Sequence, residues 1–312
     1  MQTRVLSAVD GESITLCEWL PAADGAVRGV VVLSHGMAEH AARYDTFART
    51  LVAAGWIVYA HDHRGHGATP RIRGWFAERD GWQRVVGDLH VVRQWAAARH
   101  PDLPLFLYGH SMGSFIARSY VLQHGAGLAG LILSATGYRQ GVMARAMRGI
   151  ARLTARFGKR EDPSRVMGYL VFGSFNLSFI PAHSPVDWLT RDRVEVERYL
   201  ADTLCGFPPT SAMWVDLFGG VIEMEREEKR GTRLPRACPL LLLAGSRDPV
   251  SLGRFGLGQL ARRYRKAGAH DVTVKVYRGG RHEMHNELNR DEVMADLTAW
   301  LAQRASQLAQ AA

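Results

Sequence analysis

The chain has 312 residues, 47% of them hydrophobic, so it can bury a sizeable core and is longer than one simple core requires. The longest apolar runs are only strand-sized and the N-terminal residues lack the apolar core of a signal peptide, so we expect neither a membrane span nor a secretory leader. The formal net charge of +9 comes almost wholly from dispersed arginines with no nucleic-acid motif, which excludes nucleic acid as an expected partner.

Strand-length apolar runs alternate with helix-length amphipathic stretches along most of the chain. This alternation indicates an α/β fold with a mostly parallel central sheet that is flanked by helices on both faces. The predicted strands span 13–19, 30–33, 56–60, 105–108, 128–134, 239–244 and 272–277, the first of them antiparallel. Helices are predicted over about 44–54, 82–99 and 114–123, and from about 290 onwards.

The alternation fails between Gly137 and about Pro209, where amphipathic helix mixes with loops rich in proline, phenylalanine and serine. This change of pattern predicts a mainly helical cap inserted into the α/β core. Residues 1–136 would then form the first part of the core, 137–210 the cap, and 211–312 the second part of the core.

One predicted helix of this insertion is amphipathic and basic. Its apolar face comprises Val142, Met143, Met147, Ile150, Leu153 and Phe157. Arginines at positions 145, 148, 152 and 156 line another face. Such a helix can lie on an anionic membrane surface, which suggests peripheral membrane contact. The alternative is that the apolar face packs on the protein itself and the arginines are solvated.

The pentapeptide Gly109-His110-Ser111-Met112-Gly113 joins a predicted buried strand to a predicted helix. A serine between two glycines at such a junction is the pattern of a nucleophile elbow, because the sharp turn leaves no room for flanking side chains. The serine hydroxyl is exposed at the tip of the turn, and the amides at the start of the helix face the place where an oxyanion would develop. The alternative is that Ser111 is an ordinary turn residue.

A serine nucleophile needs a base and an acid, which follow it along the chain in the order Asp or Glu, then His. Asp248 lies in the loop after the predicted strand 239–244, and His282 lies in the loop after 272–277. We expect His282 to take the Ser111 proton and Asp248 to orient the imidazole. Two alternatives stay open: Asp248 could cap the following helix, and His285 could be the base instead of His282.

An oxyanion hole requires two backbone donors. One is expected from the amide of Met112, the residue after the nucleophile, and the other from Met37, in the loop after the predicted strand 30–33. Gly36 permits this loop to turn closely, and His35 is expected to hold it through side-chain hydrogen bonds.

Longer motifs surround these candidate residues. They are His35-Gly36-Met37-Ala38-Glu39-His40 with Arg43-Tyr44, Asp62-His63-Arg64-Gly65-His66-Gly67, the Ser111 pentapeptide, Gly245-Ser246-Arg247-Asp248-Pro249, and Arg281-His282-Glu283 with Asn286-Glu287. Together they resemble the monoacylglycerol lipase and lysophospholipase branch of the α/β-hydrolase superfamily. The resemblance covers about 30–135 and 239 to the end, and it is weaker in the predicted cap.

This resemblance implies an α/β-hydrolase fold in which the candidate triad and oxyanion amides keep the roles given above. It also implies that Glu39, Arg43 and His285 line the polar end of a substrate pocket, near the glycerol hydroxyls. The alternative for Glu39 and Arg43 is a structural ion pair behind the oxyanion loop.

The predicted function is therefore that of a serine carboxylester hydrolase that releases a fatty acid from monoacylglycerol through an acyl-enzyme on Ser111. The expected partner is a small lipid ester, with lysophospholipid as the second candidate, and no metal or organic cofactor is expected. A general esterase, an aminopeptidase-like hydrolase or an acyltransferase would use the same triad. In a different class, a non-catalytic binding protein on this scaffold would usually have lost a triad residue.

Three widely spaced cysteines, Cys17, Cys205 and Cys238, suggest neither a metal-ligand cluster nor a disulfide framework. Their number and spacing favour a reducing compartment. We predict a cytoplasmic protein, and the basic helix is the candidate site for peripheral membrane contact.

Overall fold

The computed structural model describes residues 1–22, 25–68, 70–138, 141–231 and 236–311. The strands in these ranges are β1 (Gln2–Ser7), β2 (Ser13–Trp19), β3 (Gly29–Ser34), β4 (Trp56–His61), β5 (Leu105–His110), β6 (Gly130–Ser134), β7 (Leu240–Gly245) and β8 (Val272–Tyr277). They form one sheet in the order β1-β2-β4-β3-β5-β6-β7-β8. The pairs from β4 to β8 are parallel, and only the β1–β2 and β2–β4 pairs of this described sheet are antiparallel, which confirms the predicted architecture.

The helices lie between and after these strands. They are α1 (Asp45–Ala53), α2 (Gly81–Arg99), α3 (Met112–His124), α4 (Gly141–Phe157), α5 (Arg165–Gly168), α6 (Ser174–Asn176), α7 (Arg193–Ala201), α8 (Ser211–Arg230), α9 (Gly253–Lys266) and α10 (Arg290–Ala311). A π-helical turn at Tyr169–Gly173 joins α5 to α6, and 3₁₀ turns lie at Ala41–Tyr44, Leu177–Phe179 and Met284–Asn286. No helix in the described ranges combines the length and apolarity needed to cross a bilayer.

Each face of the sheet carries its own apolar layer, because successive side chains of a strand point to opposite faces. In β3, Val31 and Leu33 pack in the layer that includes α1 and α10. Val30 and Val32 pack in the other layer, with α2, α3, α8 and α9. The strand is buried on both faces, so its sequence is a continuous apolar run rather than an alternating one.

The sequence did not predict β1, which has a polar and mostly exposed strand sequence. Six residue pairs join it to β2, from Gln2 opposite Glu18 to Ser7 opposite Ser13. Arg4 adds an ion pair across the two strands, with Nε 2.5 Å from Glu18 Oε1. Pairing with β2, rather than an apolar pattern of its own, therefore determines this edge strand.

Between β6 and β7 the chain leaves the sheet, and residues 141–210 of this stretch are called the α4–α7 region below. The first helix, α4, packs along α8 with Ala144 and Ala151 fully buried. The opposite side of α4 exposes large apolar side chains. These are Val142, Met143, Leu153 and Phe157.

A buried ion pair ties the region after β6 to the core. Arg118 on α3 donates two hydrogen bonds to the Glu228 carboxylate on α8, at 2.8 and 2.7 Å, and both side chains are fully buried. Tyr264 on α9 donates to the same carboxylate at 2.6 Å. Arg118 also donates to the Gly137 carbonyl oxygen at 2.7 Å, so the Arg118–Glu228 pair and Tyr264 together join three helices and the exit from β6. Removing either partner of a buried pair leaves an uncompensated charge, which costs about 3–5 kcal/mol.

Candidate active site

The chain turns sharply from β5 into α3, and Ser111 lies at this turn. Its backbone has φ 51° and ψ −119°, a left-handed φ that residues with a side chain rarely adopt. The Ser111 amide donates to the carbonyl oxygen of Ser134 at the end of β6, at 3.0 Å. The neighbouring strand thus holds the strained conformation that the elbow pattern predicts.

The two glycines of the elbow are required by close backbone neighbours. A Cβ on Gly109 would lie 2.6 Å from the carbonyl oxygen of Gly113. A Cβ on Gly113 would overlap the carbonyl oxygen of Ser34, at the end of β3. The start of α3 therefore rests directly on the end of β3.

Asp248 and His282 are in direct contact, although they come from loops after different strands. His282 Nδ1 lies 2.7 Å from Asp248 Oδ1, and both side chains are buried. The Asp248 carboxylate also accepts the amides of Val250 at 3.0 Å and Ser251 at 3.2 Å, so its own loop fixes it. The predicted pairing is therefore present, and Asp248 holds its own loop as well.

The free nitrogen of His282 is available for proton transfer. In the neutral ring, an Nδ1–H that donates to the Asp248 carboxylate leaves the lone pair on Nε2. Nε2 is buried and has no hydrogen-bond partner among the described residues. A base with this tautomer can take a proton from a serine hydroxyl, and such contacts often tighten only when substrate is bound.

The loop after β3 lies beside the nucleophile. A Cβ on Gly36 would be 3.4 Å from the Cβ of Ser111. His35 holds this loop, with Nδ1 2.7 Å from the Gly36 carbonyl oxygen and Nε2 accepting the His63 amide at 3.0 Å. Burial lowers the pKa of His35 well below its ordinary value, so the ring is neutral and can make both bonds.

The two predicted oxyanion donors lie where the loop after β3 comes close to the start of α3. Met37 follows Gly36, and Met112 is the first residue of α3; both line the same cavity as Ser111. The first amides of a helix have no partner within the helix, so the Met112 N–H is free to bind a ligand atom. The positions of Met37 and Met112 therefore suit the expected role.

Glu39 and Arg43 form an ion pair that also includes Glu283. Arg43 donates to Glu39 at 2.5 Å and makes two bonds of 2.9 Å to the Glu283 carboxylate. Glu39 accepts the Gly36 amide at 2.5 Å and the Tyr44 hydroxyl at 2.9 Å. The arginine thus links the oxyanion loop to the residue that follows His282.

The pKa values of the two carboxylates that Arg43 binds, Glu39 and Glu283, are shifted in opposite directions. Burial disfavours the charged form of both. At Glu283 the guanidinium outweighs burial and lowers the pKa to about 2. At Glu39 burial dominates and raises the pKa above its ordinary value, helped by the charge of Glu283. The negative charge of the pair is therefore held most firmly on Glu283.

His285 lies apart from the Asp248–His282 pair. Its ring stacks on Tyr44, with centroids 4.6 Å apart, and neither ring nitrogen has a hydrogen-bond partner among the described residues. Burial lowers the pKa of His285 to about 4, so the ring is neutral near pH 7. Between the two candidate bases, the structure brings His282 onto the aspartate.

A cavity of about 530 Å³ borders Ser111 and His282. Its polar end includes Gly36, Glu39 and Glu283, whereas within the described residues neither Arg43 nor His285 lines it. The remaining lining is mostly apolar and aromatic. It includes Phe115, Met143, Phe172, Phe175, Trp214 and Phe218.

One group of potential metal ligands occurs among the described residues: His40, Asp202 and Cys205. His40 Nε2 and Asp202 Oδ2 are 2.7 Å apart, a hydrogen-bond distance, whereas two ligands of one tetrahedral zinc lie about 3.4 Å apart. Burial raises the pKa of the Cys205 thiol, which keeps it protonated rather than a thiolate ligand. The group fits a hydrogen-bonded cluster better than a metal site.

Sequence reasoning missed two residues of the site. The sequence identifies Glu283 only as part of a motif, yet Glu283 is the bidentate partner of Arg43, 240 positions away. Trp188 has no link to the site in the sequence, yet the centroid of its ring lies 4.7 Å from that of His282. An acidic residue beside a candidate base was the available signal for Glu283, whereas nothing local marked Trp188.

This fold, with a serine on a strand-to-helix elbow and an aspartate-bound histidine that line the same cavity, defines the class of the α/β-hydrolases. The sequence model of the serine aminopeptidase S33 family matches residues 25–289. The chain is 31% identical to the monoglyceride lipase of Homo sapiens over 310 residues, which cover 95% of this chain and 88% of that protein. It is 32% identical to the monoacylglycerol lipase of Mycolicibacterium smegmatis over 299 residues, 95% of each chain.

Among solved structures, a highly thermostable carboxyl esterase from Bacillus coagulans in complex with glycerol matches with a TM-score of 0.84. The two are 28% identical, and the match covers 97% of this chain and 98% of the esterase. The chain belongs to the serine aminopeptidase S33 family and, within it, to the monoacylglycerol lipase branch of the α/β-hydrolases. The resemblance seen in the sequence motifs is confirmed.

The contact between Gly113 and the end of β3 predicts the effect of Gly113→Ala. The new Cβ must displace the start of α3, and with it Ser111 and the Met112 amide. We expect a destabilisation of about 1–3 kcal/mol in urea unfolding, together with a clear loss of ester hydrolysis.

Gly87→Ala is the matched control, because Gly87 lies within α2 and nothing lies within 4 Å of its added Cβ. It should keep its activity and gain up to about 1 kcal/mol of stability. Wild-type activity and stability in Gly113→Ala would show that the close approach is not required.

Proposed function

We propose that this protein is a serine carboxylester hydrolase that releases a fatty acid from monoacylglycerol. The observation that carries the proposal is the cavity bordering Ser111, whose lining is mostly apolar and includes a few polar groups, Glu39 and Glu283 among them. An acyl chain fits the apolar part, and a small polar alcohol fits the other end. The names of the relatives, monoglyceride lipase and monoacylglycerol lipase, support the same substrate.

In the proposed mechanism, Ser111 Oγ attacks the ester carbonyl while His282 Nε2 takes its proton. Asp248 keeps the imidazole in the required tautomer and stabilises the imidazolium that forms. The amides of Met37 and Met112 bind the oxyanion. His282 then protonates the departing alcohol, and water, activated by the same histidine, releases the fatty acid from Ser111.

The first test measures product release from a lauroyl monoacylglycerol, a lysophospholipid, p-nitrophenyl acetate and an aminoacyl p-nitroanilide. We expect the highest kcat/KM for the monoacylglycerol. Ser111→Ala should lower it by about 10³-fold or more, because the nucleophile is lost. Ser7→Ala, on the exposed edge strand β1, is the matched control and should leave it unchanged.

Each other outcome of this panel has a definite meaning. Full activity of Ser111→Ala would overturn the serine mechanism. Hydrolysis confined to the acetate would keep that mechanism and overturn the lipid substrate. Release of p-nitroaniline would favour an aminopeptidase-like activity, which is the activity in the name of the matching family. Transfer of the acyl group to an added alcohol would identify an acyltransferase.

We propose that Glu39, Arg43 and His285 belong to the polar end of the substrate site, with Glu39 in contact with the glycerol hydroxyls and Arg43 and His285 behind the lining of the cavity. The Glu39 carboxylate already accepts three hydrogen bonds, from Gly36, Tyr44 and Arg43. A carboxylate has about four acceptor sites, so one is left for a substrate hydroxyl. Arg43 and the neutral His285 would support Glu39 from behind.

Glu39→Gln separates this role from that of a purely structural ion pair. A hydrogen bond to a charged group contributes about 1.5–3 kcal/mol, so kcat/KM for monolauroylglycerol should fall roughly ten- to hundredfold. Methyl laurate has no glycerol hydroxyls and serves as the matched substrate; its loss should be much smaller. An equal loss on both esters would instead identify the ion pair as structural.

We further propose that residues 137–210 form a cap over the cavity and that α4 docks it on anionic membranes. In support, α4 exposes four large apolar side chains, next to exposed Arg145, Arg152 and Arg156. Tyr169, Leu177 and Ile180 add further exposed apolar surface in the same region. We propose a cytoplasmic location as well, on the basis of three free, buried cysteines.

Vesicle flotation tests the docking. The protein should float with phosphatidylglycerol vesicles at low salt and much less with phosphatidylcholine or at high salt. The double variant Leu153→Ser and Phe157→Ser should weaken binding by about tenfold or more, because two apolar side chains are lost. Val5→Ser is the control, because Val5 is a similarly exposed apolar residue that lies on the edge strand β1, outside the α4–α7 region. Absence of binding to anionic vesicles at low salt would exclude membrane docking.

A further inference from the structure

Residues 187–191, called the strap below, run beside the loop that carries His282. The amide of His282 donates to the Trp188 carbonyl oxygen at 3.3 Å, and the next amide, of Glu283, donates to Leu189 at 2.7 Å. The first amide belongs to the candidate base, His282, and the second belongs to Glu283, which binds Arg43. The backbone of the histidine loop is therefore paired with the α4–α7 region.

Side chains extend the pairing along the strap. Arg281 donates to the Thr190 carbonyl oxygen at 3.1 Å, and the Thr190 hydroxyl donates to the Asn286 carbonyl oxygen at 2.8 Å. Arg191 forms an ion pair with Glu287 at 2.8 Å. Bonds thus run in both directions between the two segments, which fixes the strap relative to the loop.

The Trp188 side chain packs on the imidazole itself. Its ring centroid is 4.7 Å from that of His282, and the ring of His110 lies on the imidazole at 4.9 Å. The bond to Asp248 fixes one ring nitrogen, but the terminal torsion of a histidine is broad, so one hydrogen bond alone lets the ring swing. Contacts from Trp188 and His110 restrict that swing.

Trp188 is itself held firmly. It is only 5% exposed, and it contacts Phe175 at 5.0 Å and Phe172, in stacked orientation, at 6.0 Å between centroids. These aromatic residues line the cavity, as Trp188 does. The indole is therefore both a wall of the cavity and a neighbour of the base.

We propose that Trp188 is a positioning residue for the general base, acting through His282. The inference rests on the proposed function, because it assigns to the α4–α7 region a part in setting the geometry of proton transfer. An imidazole that swings out of line leaves Ser111 without a base for part of the time. Small misplacements of a catalytic group lower the rate by as much as about a hundredfold, so the effect is measurable.

Different kinetics are expected if Trp188 positions His282 and if it only lines the cavity. Loss of positioning lowers kcat for every ester, including one too short to fill the cavity. Loss of a wall weakens binding of the acyl chain, so its effect lies in KM and grows with chain length. Comparing p-nitrophenyl acetate with p-nitrophenyl laurate separates the two.

Trp188→Leu removes the aromatic face and keeps an apolar side chain, whereas Trp188→Phe keeps a ring against the imidazole. Active sites are counted by fluorophosphonate titration, so that kcat refers to folded enzyme. We expect Trp188→Leu to lower kcat by about ten- to hundredfold on both esters with little change in KM, and Trp188→Phe to restore most of it.

Trp214→Leu is the matched control. Trp214 lines the same cavity and stacks on Phe218, but within the described residues no ring contact joins it to His282. Its substitution should raise KM by a factor that grows with acyl length.

Two results would overturn the inference: wild-type kcat on acetate in Trp188→Leu, or failure of Trp188→Phe to restore the rate. The rate constant for fluorophosphonate labelling of Ser111 is a second readout that needs no lipid substrate, and it should fall in parallel with kcat. If the wild-type protein labels at Ser111 but hydrolyses no lipid ester, the proposed substrate fails while the role of Trp188 is still decided by labelling.

Discussion

The site depends on how closely the start of α3 approaches the end of β3. Gly113 leaves no room for a side chain against the Ser34 carbonyl oxygen, and Gly36 lies beside Ser111 on the other side of the same corner. Because β3 and β5 are parallel neighbours in the sheet, their carboxyl ends open at one edge. The nucleophile and both candidate oxyanion amides can therefore be assembled from two short loops, without any long connection.

Burial then determines which charges the site contains. The ring of His110 packs on that of His282, and the ring of His285 packs on that of His110; burial lowers the pKa of His110 and His285, so both are neutral near pH 7. Neutral rings do not repel the imidazolium that forms on the base when Ser111 is activated. Asp248 directly contacts that imidazole, and the charge of Arg43 is compensated by two carboxylates. Two of the histidines around the candidate base are in this way neutral and add no positive charge beside it.

The sequence was sufficient for the elements whose pattern is local. The strands Ser13–Trp19 and Val272–Tyr277 have the predicted bounds, because their composition and their flanking turns identify them. Asp248 and His282 were placed correctly in loops after β7 and β8 for the same reason. The polar edge strand β1 was missed, since its partner, not its own pattern, determines it.

Long-range side-chain contacts lay beyond sequence reasoning. The partner of Arg118 is 110 positions away and the second partner of Arg43 is 240 positions away. Nothing in a local window distinguishes such an arginine from a solvated one, and the sequence contains 35 arginines, counted as 39 basic residues less four lysines. Only the fold shows which of them are buried against carboxylates.

The three candidate catalytic residues are not held in the same way. Ser111 and Asp248 are fixed by the backbone of the core, through the β5–α3 turn and the loop after β7. His282 is fixed partly from outside the core, because the strap of the α4–α7 region binds its loop. Any rearrangement of this region that shifts Trp188 therefore also changes the surroundings of the base.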